Sequence, residues 1–139
     1  MTTPDLADWL CGRWTVHREI NDGAGSFDGS AEFSSGHDAA RVWREAGRLR
    51  LGRHRGPAQR TLLLDPGTAG GAWQVRFDDR RPFHDLDLRS GRWEAEHLCG
   101  PDTYRGLFVV GGPDRLDITW RITGPRKNDV IVSAYERAR

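Results

Sequence analysis

Gly12-Arg13-Trp14-Thr15-Val16-His17-Arg18-Glu19-Ile20-Asn21-Asp22-Gly23 is the segment that settles the architecture of this chain. Trp14, Val16 and Ile20 alternate with Arg13, Thr15, His17 and Glu19, and the run breaks at a turn-forming Asn-Asp-Gly. A period of two with one apolar face describes an antiparallel strand with one wet side. Just upstream the period differs. Leu6, Trp9 and Leu10 fall at i, i+3 and i+4, Thr3 is a capping residue and Pro4 suits a first helical position, so residues 2–10 read as a short helix that Gly12 ends.

Further along the chain the same alternation recurs. Phe27, Gly29, Ala31 and Phe33 share one face, as do Trp73, Val75 and Phe77, and again Leu116, Ile118, Trp120 and Ile122. Turn signals at Ser35-Gly36, Asp65-Pro66-Gly67, Gly70-Gly71, Ser90-Gly91, Gly100-Pro101-Asp102, Gly111-Gly112-Pro113-Asp114 and Gly124-Pro125 separate the runs. The spacing predicts about ten strands of roughly 6–10 residues and no second helix. A sheet of that size loses its exposed edges only by closing on itself. The expected fold is therefore all-β: a closed up-and-down antiparallel barrel over residues 12–137, with the N-terminal helix plugging one end. At 139 residues the chain makes one domain.

Composition narrows the function. Lys and Arg number 21 against 20 Asp and Glu, without the basic excess of a nucleic-acid binder. No apolar run approaches the ~18 residues of a membrane span. Met1-Thr2-Thr3-Pro4-Asp5-Leu6 carries neither a basic n-region nor an apolar h-region, so the expected location is cytoplasmic. Cys11 and Cys99, in unlike contexts, are then expected as reduced thiols, Cys11 structural.

The chemistry-bearing residues concentrate in Arg81-Pro82-Phe83-His84 and His97-Leu98-Cys99-Gly100-Pro101-Asp102-Thr103-Tyr104. His84 shares parity with Leu86 and Leu88; His97 shares it with Trp93, Ala95 and Cys99. If the apolar sets face inward, both imidazoles enter one chamber from neighbouring strands. Parity also turns Arg18 inward with Trp14 and Val16, unless it snorkels at the rim. Glu45 goes inward with Trp43, unless a bulge at Gly47 resets the register. In the next strand either Ala58, Arg60, Leu62 and Leu64 or Gln59, Thr61 and Leu63 could face inward; the first is the richer apolar set and would make Arg60 a third inward charge. Ser133, Tyr135 and Arg137 share a face of the last strand, where Tyr135 can donate inward. Arg126 and Lys127 sit in the last hairpin turn; Lys127 is the chain's single lysine, and two cations at a rim would draw a carboxylate or phosphate. Trp120 offers an aromatic wall to a flat organic ligand. Cys99 reads as a small buried apolar residue, or as a thiolate paired with His97.

Gly12-Arg13-Trp14 after a capping helix, with Arg137 near the C-terminus, resembles the calycin pattern of lipocalins and fatty-acid-binding proteins. That resemblance implies an Arg from the final strand stacked over the Trp at the barrel base. A more specific resemblance covers nearly the whole chain. Its pieces are Leu10-Cys11-Gly12-Arg13-Trp14, Arg18-Glu19-Ile20-Asn21-Asp22, Phe27-Asp28-Gly29-Ser30-Ala31-Glu32-Phe33 and Glu45-Ala46-Gly47-Arg48-Leu49. They continue through Phe77-Asp78-Asp79-Arg80-Arg81-Pro82-Phe83-His84, His97 to Tyr104, Trp120, Gly124-Pro125-Arg126-Lys127, Ser133, Tyr135 and Arg137. Together they are similar to a bacterial and fungal family known as a domain of unknown function; Asp79 stands where a Gly is expected. The resemblance implies a lipocalin-like barrel and supplies no activity.

The function these residues point to is small-molecule binding, extended to cofactor-independent acid–base chemistry of the isomerase, cyclase, dehydratase or hydrolase class on a small polar or anionic substrate. His84 and His97 would act as acid and base, oriented by Asp102 and Tyr104, with Arg18, Arg60 or Arg126 holding the substrate. The alternative is a non-catalytic carrier or sensor. A metal or haem barrel ranks below both. His84, His97, Cys99 and Asp102 are ligand types, but Cys99 to Asp102 is a turn with no second Cys nearby, and the glycine pattern of nitrobindin-type haem barrels is missing. The expected partner is a small molecule, with no cofactor, no nucleic acid and no membrane; the outer faces leave room for a homodimer.

Overall fold

A computed structural model of the chain describes residues 6–67 and 71–139. One helix, α1 (Leu6–Leu10), precedes ten strands: β1 (Gly12–Ile20), β2 (Gly25–Ser35), β3 (Arg41–Leu51), β4 (His54–Asp65), β5 (Trp73–Phe77), β6 (Pro82–Leu86), β7 (Arg92–Cys99), β8 (Asp102–Val110), β9 (Arg115–Thr123) and β10 (Asn128–Arg137). The expected cap at Thr3, the Pro4 position and Gly70 lie outside the described residues. Every pairing is antiparallel, in the order β6-β5-β4-β3-β2-β1-β10-β9-β8-β7. This is the expected up-and-down barrel, with one difference: it is nearly rather than fully closed. β6 and β7 end the ladder and meet across a seam without a backbone ladder.

Side chains hold that seam. The Asp85 carbonyl, on the free edge of β6, accepts from Trp93 Nε1 across the seam at 2.9 Å. It also accepts from His84 Nδ1 at 2.7 Å. An edge carbonyl with no strand partner costs free energy unless a donor reaches it, and here two do.

The closed end follows from α1. Leu6, Trp9 and Leu10 are buried beneath the barrel base with Trp14. The Arg137 guanidinium carbon lies 4.3 Å from the Trp14 ring centroid. The same guanidinium donates to the carbonyls of Trp9 at 2.6 Å and Cys11 at 3.1 Å, which ties the last strand to the helix. Above this layer Phe33, Trp43, Leu64, Val75, Phe108, Leu116 and Ile118 fill the lower lumen. β2 and β3 cross unusually closely at the Gly29–Gly47 pair: a Cβ on Gly29 would run into the Ala46 carbonyl oxygen. No residue other than glycine fits that crossing. The register runs through Gly47 without a bulge, so Glu45 keeps its inward face.

Toward the other, open end, the wall is uneven. β4 has twelve residues, β5 and β6 five each. β4 pairs with β5 only from Leu62 to Asp65, so residues 54–61 run past the β5–β6 hairpin and leave a notch. The hairpin turns through Arg80, whose φ of 74° is left-handed. Asp79, standing where glycine was expected, accepts from the Arg81 amide at 3.0 Å and supports that turn.

Candidate functional site at the open end

The site has a charged floor and an aromatic cleft above it. The floor is built by residues whose parity alone sent them inward: Arg18 of β1, Glu45 of β3, Arg60 of β4, and Ser133 and Tyr135 of β10. Glu45 is 1% exposed and both its oxygens are saturated. Oε1 accepts from Arg18 Nη2 at 3.0 Å and from Arg60 Nε at 3.1 Å. Oε2 accepts from Trp43 Nε1 at 3.0 Å and from the Tyr135 hydroxyl. Arg18 donates through Nε to Ser133 Oγ at 2.7 Å and through Nη2 to the Tyr135 oxygen at 2.9 Å. Aromatic faces flank both guanidiniums: Phe27 lies 5.2 Å from Arg18 and Trp43 lies 5.5 Å from Arg60.

Burial alone would push the Glu45 carboxyl up, but the Arg60 and Arg18 charges and the Tyr135 hydrogen bond outweigh it and hold the group below the ordinary carboxylate range. Burial, reinforced by the Glu45 charge, pushes the Tyr135 phenol up, so it stays protonated and donates. The floor thus holds two guanidinium charges against one carboxylate, and among the described residues no other carboxylate pairs with either.

The cleft above occupies the notch. It has a volume of about 460 Å³ and is lined by Arg60 and Leu62 of β4, Phe77 and Phe83 from the β5–β6 hairpin, and His97, Cys99 and Tyr104 from β7 and β8. Gln59, Thr61 and Asp78 complete its rim. Phe83 stacks on Phe77 at 4.6 Å between centroids and on Trp120 at 5.2 Å. Trp120 in turn lies flat on Gly106, where a Cβ would stand 2.8 Å from the indole. His97 meets the edges of Phe83, Phe77 and its cross-strand partner Tyr104, at 5.1, 5.6 and 5.8 Å.

The two histidines point inward as parity predicts, yet they do not open on one chamber. Phe83 stands between them, its ring 4.6 Å from His84 and 5.1 Å from His97. The cause is a bulge in β6: Val75 pairs with His84 and Arg76 with Pro82, leaving Phe83 as the extra residue. A bulge lets two consecutive side chains turn to the same side, which strict alternation forbids. His84 is packed against Phe108 and Trp120, and its Nδ1–H is committed to the Asp85 carbonyl. Burial pulls its pKa down to about 4, so it is neutral near pH 7.

Two further expectations are corrected by the structure, those for Asp102 and Cys99. Asp102 turns to Lys127, with Nζ 3.5 Å from Oδ2, rather than to either imidazole. Tyr104 and Asp102 together hold the Lys127 amine above its ordinary range. Arg126 is exposed in the β9–β10 turn, where the sequence placed it. Cys99 is exposed at the cleft, not a buried apolar residue, and Cys11 is exposed too. Sequence reasoning missed Trp43 as a donor to Glu45, although Trp43-x-Glu45 share a face. It also missed Phe77 and Phe83 as cleft walls and Trp93 as the seam donor. Among the described residues no group of three His, Cys, Asp or Glu is placed to hold a metal ion.

Fold and site together define a lipocalin-like antiparallel barrel, plugged at one end by a helix and open at the other over a charged floor. The chain belongs to the family of unknown function DUF6314, whose pattern it matches over residues 10–137. No curated protein matches it in sequence. Among solved structures, the S-type phycobiliprotein lyase CPES from Guillardia theta superposes with a TM-score of 0.72 at 9% identity, covering 100% of this chain and 94% of the lyase. A de novo designed fluorescence-activating β-barrel superposes with a TM-score of 0.56 at 14% identity, covering 98% of this chain and 100% of the design. The redesigned barrel mFAP1 bound to DFHBI gives 0.53 at 13% identity, covering 96% and 100%. At these identities the likeness is one of fold.

Proposed function

We propose that this barrel binds a small, ring-containing organic molecule of the polar or anionic class in the open-end cleft. The observation that carries the reading is the pairing of that aromatic cleft with a partly exposed arginine: the Arg60 side chain is 42% exposed and lines the cleft while its partner Glu45 is buried. Apolar walls with a few convergent polar groups are the usual make-up of a ligand site. Designed barrels of the same fold bound to DFHBI support the reading by analogy of architecture. Titration with the fluorescent dye anilinonaphthalene sulfonate tests it. The expected result is saturable single-site enhancement that weakens about tenfold in Phe83→Ala, one stacked wall being lost. Absence of saturable binding up to about 1 mM dye overturns it.

A second reading, acid–base catalysis on the bound molecule, is favoured by His97 and Tyr104 facing the cleft as direct register partners. In this reading His97 exchanges the proton with the ligand and Tyr104 orients it. His84, neutral and bonded to Asp85, acts only from behind Phe83. A ligand altered in mass or in chromatographic retention and NMR spectrum after incubation, with the change lost in His97→Ala while binding is retained, is the expected signature; a ligand recovered unaltered by all three leaves the barrel a carrier or sensor.

A further inference from the structure

We propose that the ligand carries a single carboxylate and that Arg60 is its receptor; this rests on the ligand-binding reading above and names the chemistry of that site. The floor sets the charge. Among the described residues Arg18 and Arg60 pair with no carboxylate other than Glu45, which leaves one net positive charge under the aromatic cleft. Glu45 has no lone pair to spare, since four donors converge on its two oxygens. The uncompensated charge therefore belongs to the guanidiniums.

The two arginines are not equivalent. Arg18 is 13% exposed at its side chain and spends Nε and Nη2 on Ser133, Glu45 and Tyr135. Arg60 is anchored by Nε to Glu45 and lies over the Trp43 indole, while its side chain lines the cleft. Its hydrogen bond to Glu45 is made through Nε and its other interaction in the floor is with Tyr135, so an Nη donor not engaged there can meet a planar oxyanion. An anchored guanidinium loses little side-chain freedom when an anion docks.

One net positive charge in a partly desolvated site matches a monoanion. A phosphate dianion would leave a negative charge over Glu45, in a setting where uncompensated charge is costly. Asp78 at the rim is exposed to solvent, where its repulsion is screened. Lys127 is already paired with Asp102 and does not alter the balance. The ring body of the ligand then lies between Phe77, Phe83, His97 and Tyr104, with the carboxylate directed down to Arg60.

Isothermal titration with naphthoate, naphthyl phosphate and the neutral naphthamide separates the inference from the reading beneath it. The expected order is naphthoate tightest, by about tenfold or more over both others at low salt. In Arg60→Gln, the preference for naphthoate over naphthamide should collapse to about one, and a far-UV circular dichroism spectrum and melt like the parent's show that the variant is folded; a preference that survives in the folded variant overturns Arg60 as the receptor. Equal binding of naphthoate and naphthamide overturns the carboxylate receptor and leaves the aromatic cleft standing. Tighter binding of naphthyl phosphate than naphthoate overturns the monoanion assignment. Failure of all three to bind overturns both the inference and the ligand-binding reading.

Discussion

At its closed end the barrel stacks Trp9 and Trp14 edge to face, 5.3 Å apart, under the Arg137 guanidinium, and the Arg137 donors there serve to hold the helix in place. At its open end a guanidinium–carboxylate–guanidinium cluster sits where an aliphatic layer would pack as well. Both ends place an arginine against an indole, Arg137 on Trp14 and Arg60 on Trp43. They differ in what the arginine does with its donors. Arg137 delivers them to the Asp114 carboxylate through Nε and to carbonyls of its own chain at Trp9, Cys11 and Pro113, and so closes a wall. Arg60 is fixed at Nε by Glu45, also interacts with Tyr135, and lines the cleft with its side chain. Buried ion pairs seldom add stability over well-packed apolar residues, so the open end is organised for something other than stability.

Substitutions at the two ends test this contrast. The largest effect is expected at the closed end: Trp14→Ala should cost about 4 kcal/mol in urea unfolding, from lost burial and an unfilled cavity. A loss below about 1 kcal/mol would show that the helix plug is not the anchor of the fold. Glu45→Ala should come next, at about 3 kcal/mol, because two guanidiniums lose their counter-charge while Arg60 is partly relieved by solvent. If the variant is as stable as the parent, the floor is not an electrostatic unit.

The third test is pH. His84 has its pKa depressed from 6.5 to about 4 in the fold, so the unfolded chain binds more protons between those values. Stability is then complete above about pH 6.5 and falls as pH drops through that window, by on the order of 3 kcal/mol at its acid limit. In His84→Gln the amide can still donate to Asp85, and that slope should vanish. Glu45 acts in a lower window: its depressed pKa stabilises the fold above its ordinary value of 4.5, and that contribution is lost on acidification beyond it. Unfolding midpoints across the pH range, parent against variant, separate the two. The smallest effect is expected at the seam. Trp93→Phe keeps the ring and removes the donor to Asp85, at about 1 kcal/mol, and hydrogen exchange in β6 should rise more than in β1.

The barrel and most of its inward-facing set follow from the order of amino acids alone. Long ladders without interruption let parity run true, so the inward alternatives for Arg18, Glu45, Arg60 and Tyr135 are the ones the fold adopts, although parity did not join them into one cluster; Arg137 over Trp14 was implied by the calycin resemblance. Side chains alternate with a period of two as long as no residue is inserted. Whatever depends on strand length and interruption emerged only in the folded chain. The bulge opposite Val75 and Arg76 set Phe83 beside His84, between the two imidazoles, and left only His97 on the cleft. The short β5–β6 hairpin opened the notch that became the cleft, and the unpaired edge of β6 was closed by Trp93 and His84. Alternation reports which way a residue points along its own strand. How far a neighbouring strand reaches, and which ring fills the gap it leaves, is settled only when the sheet curls and its two ends meet.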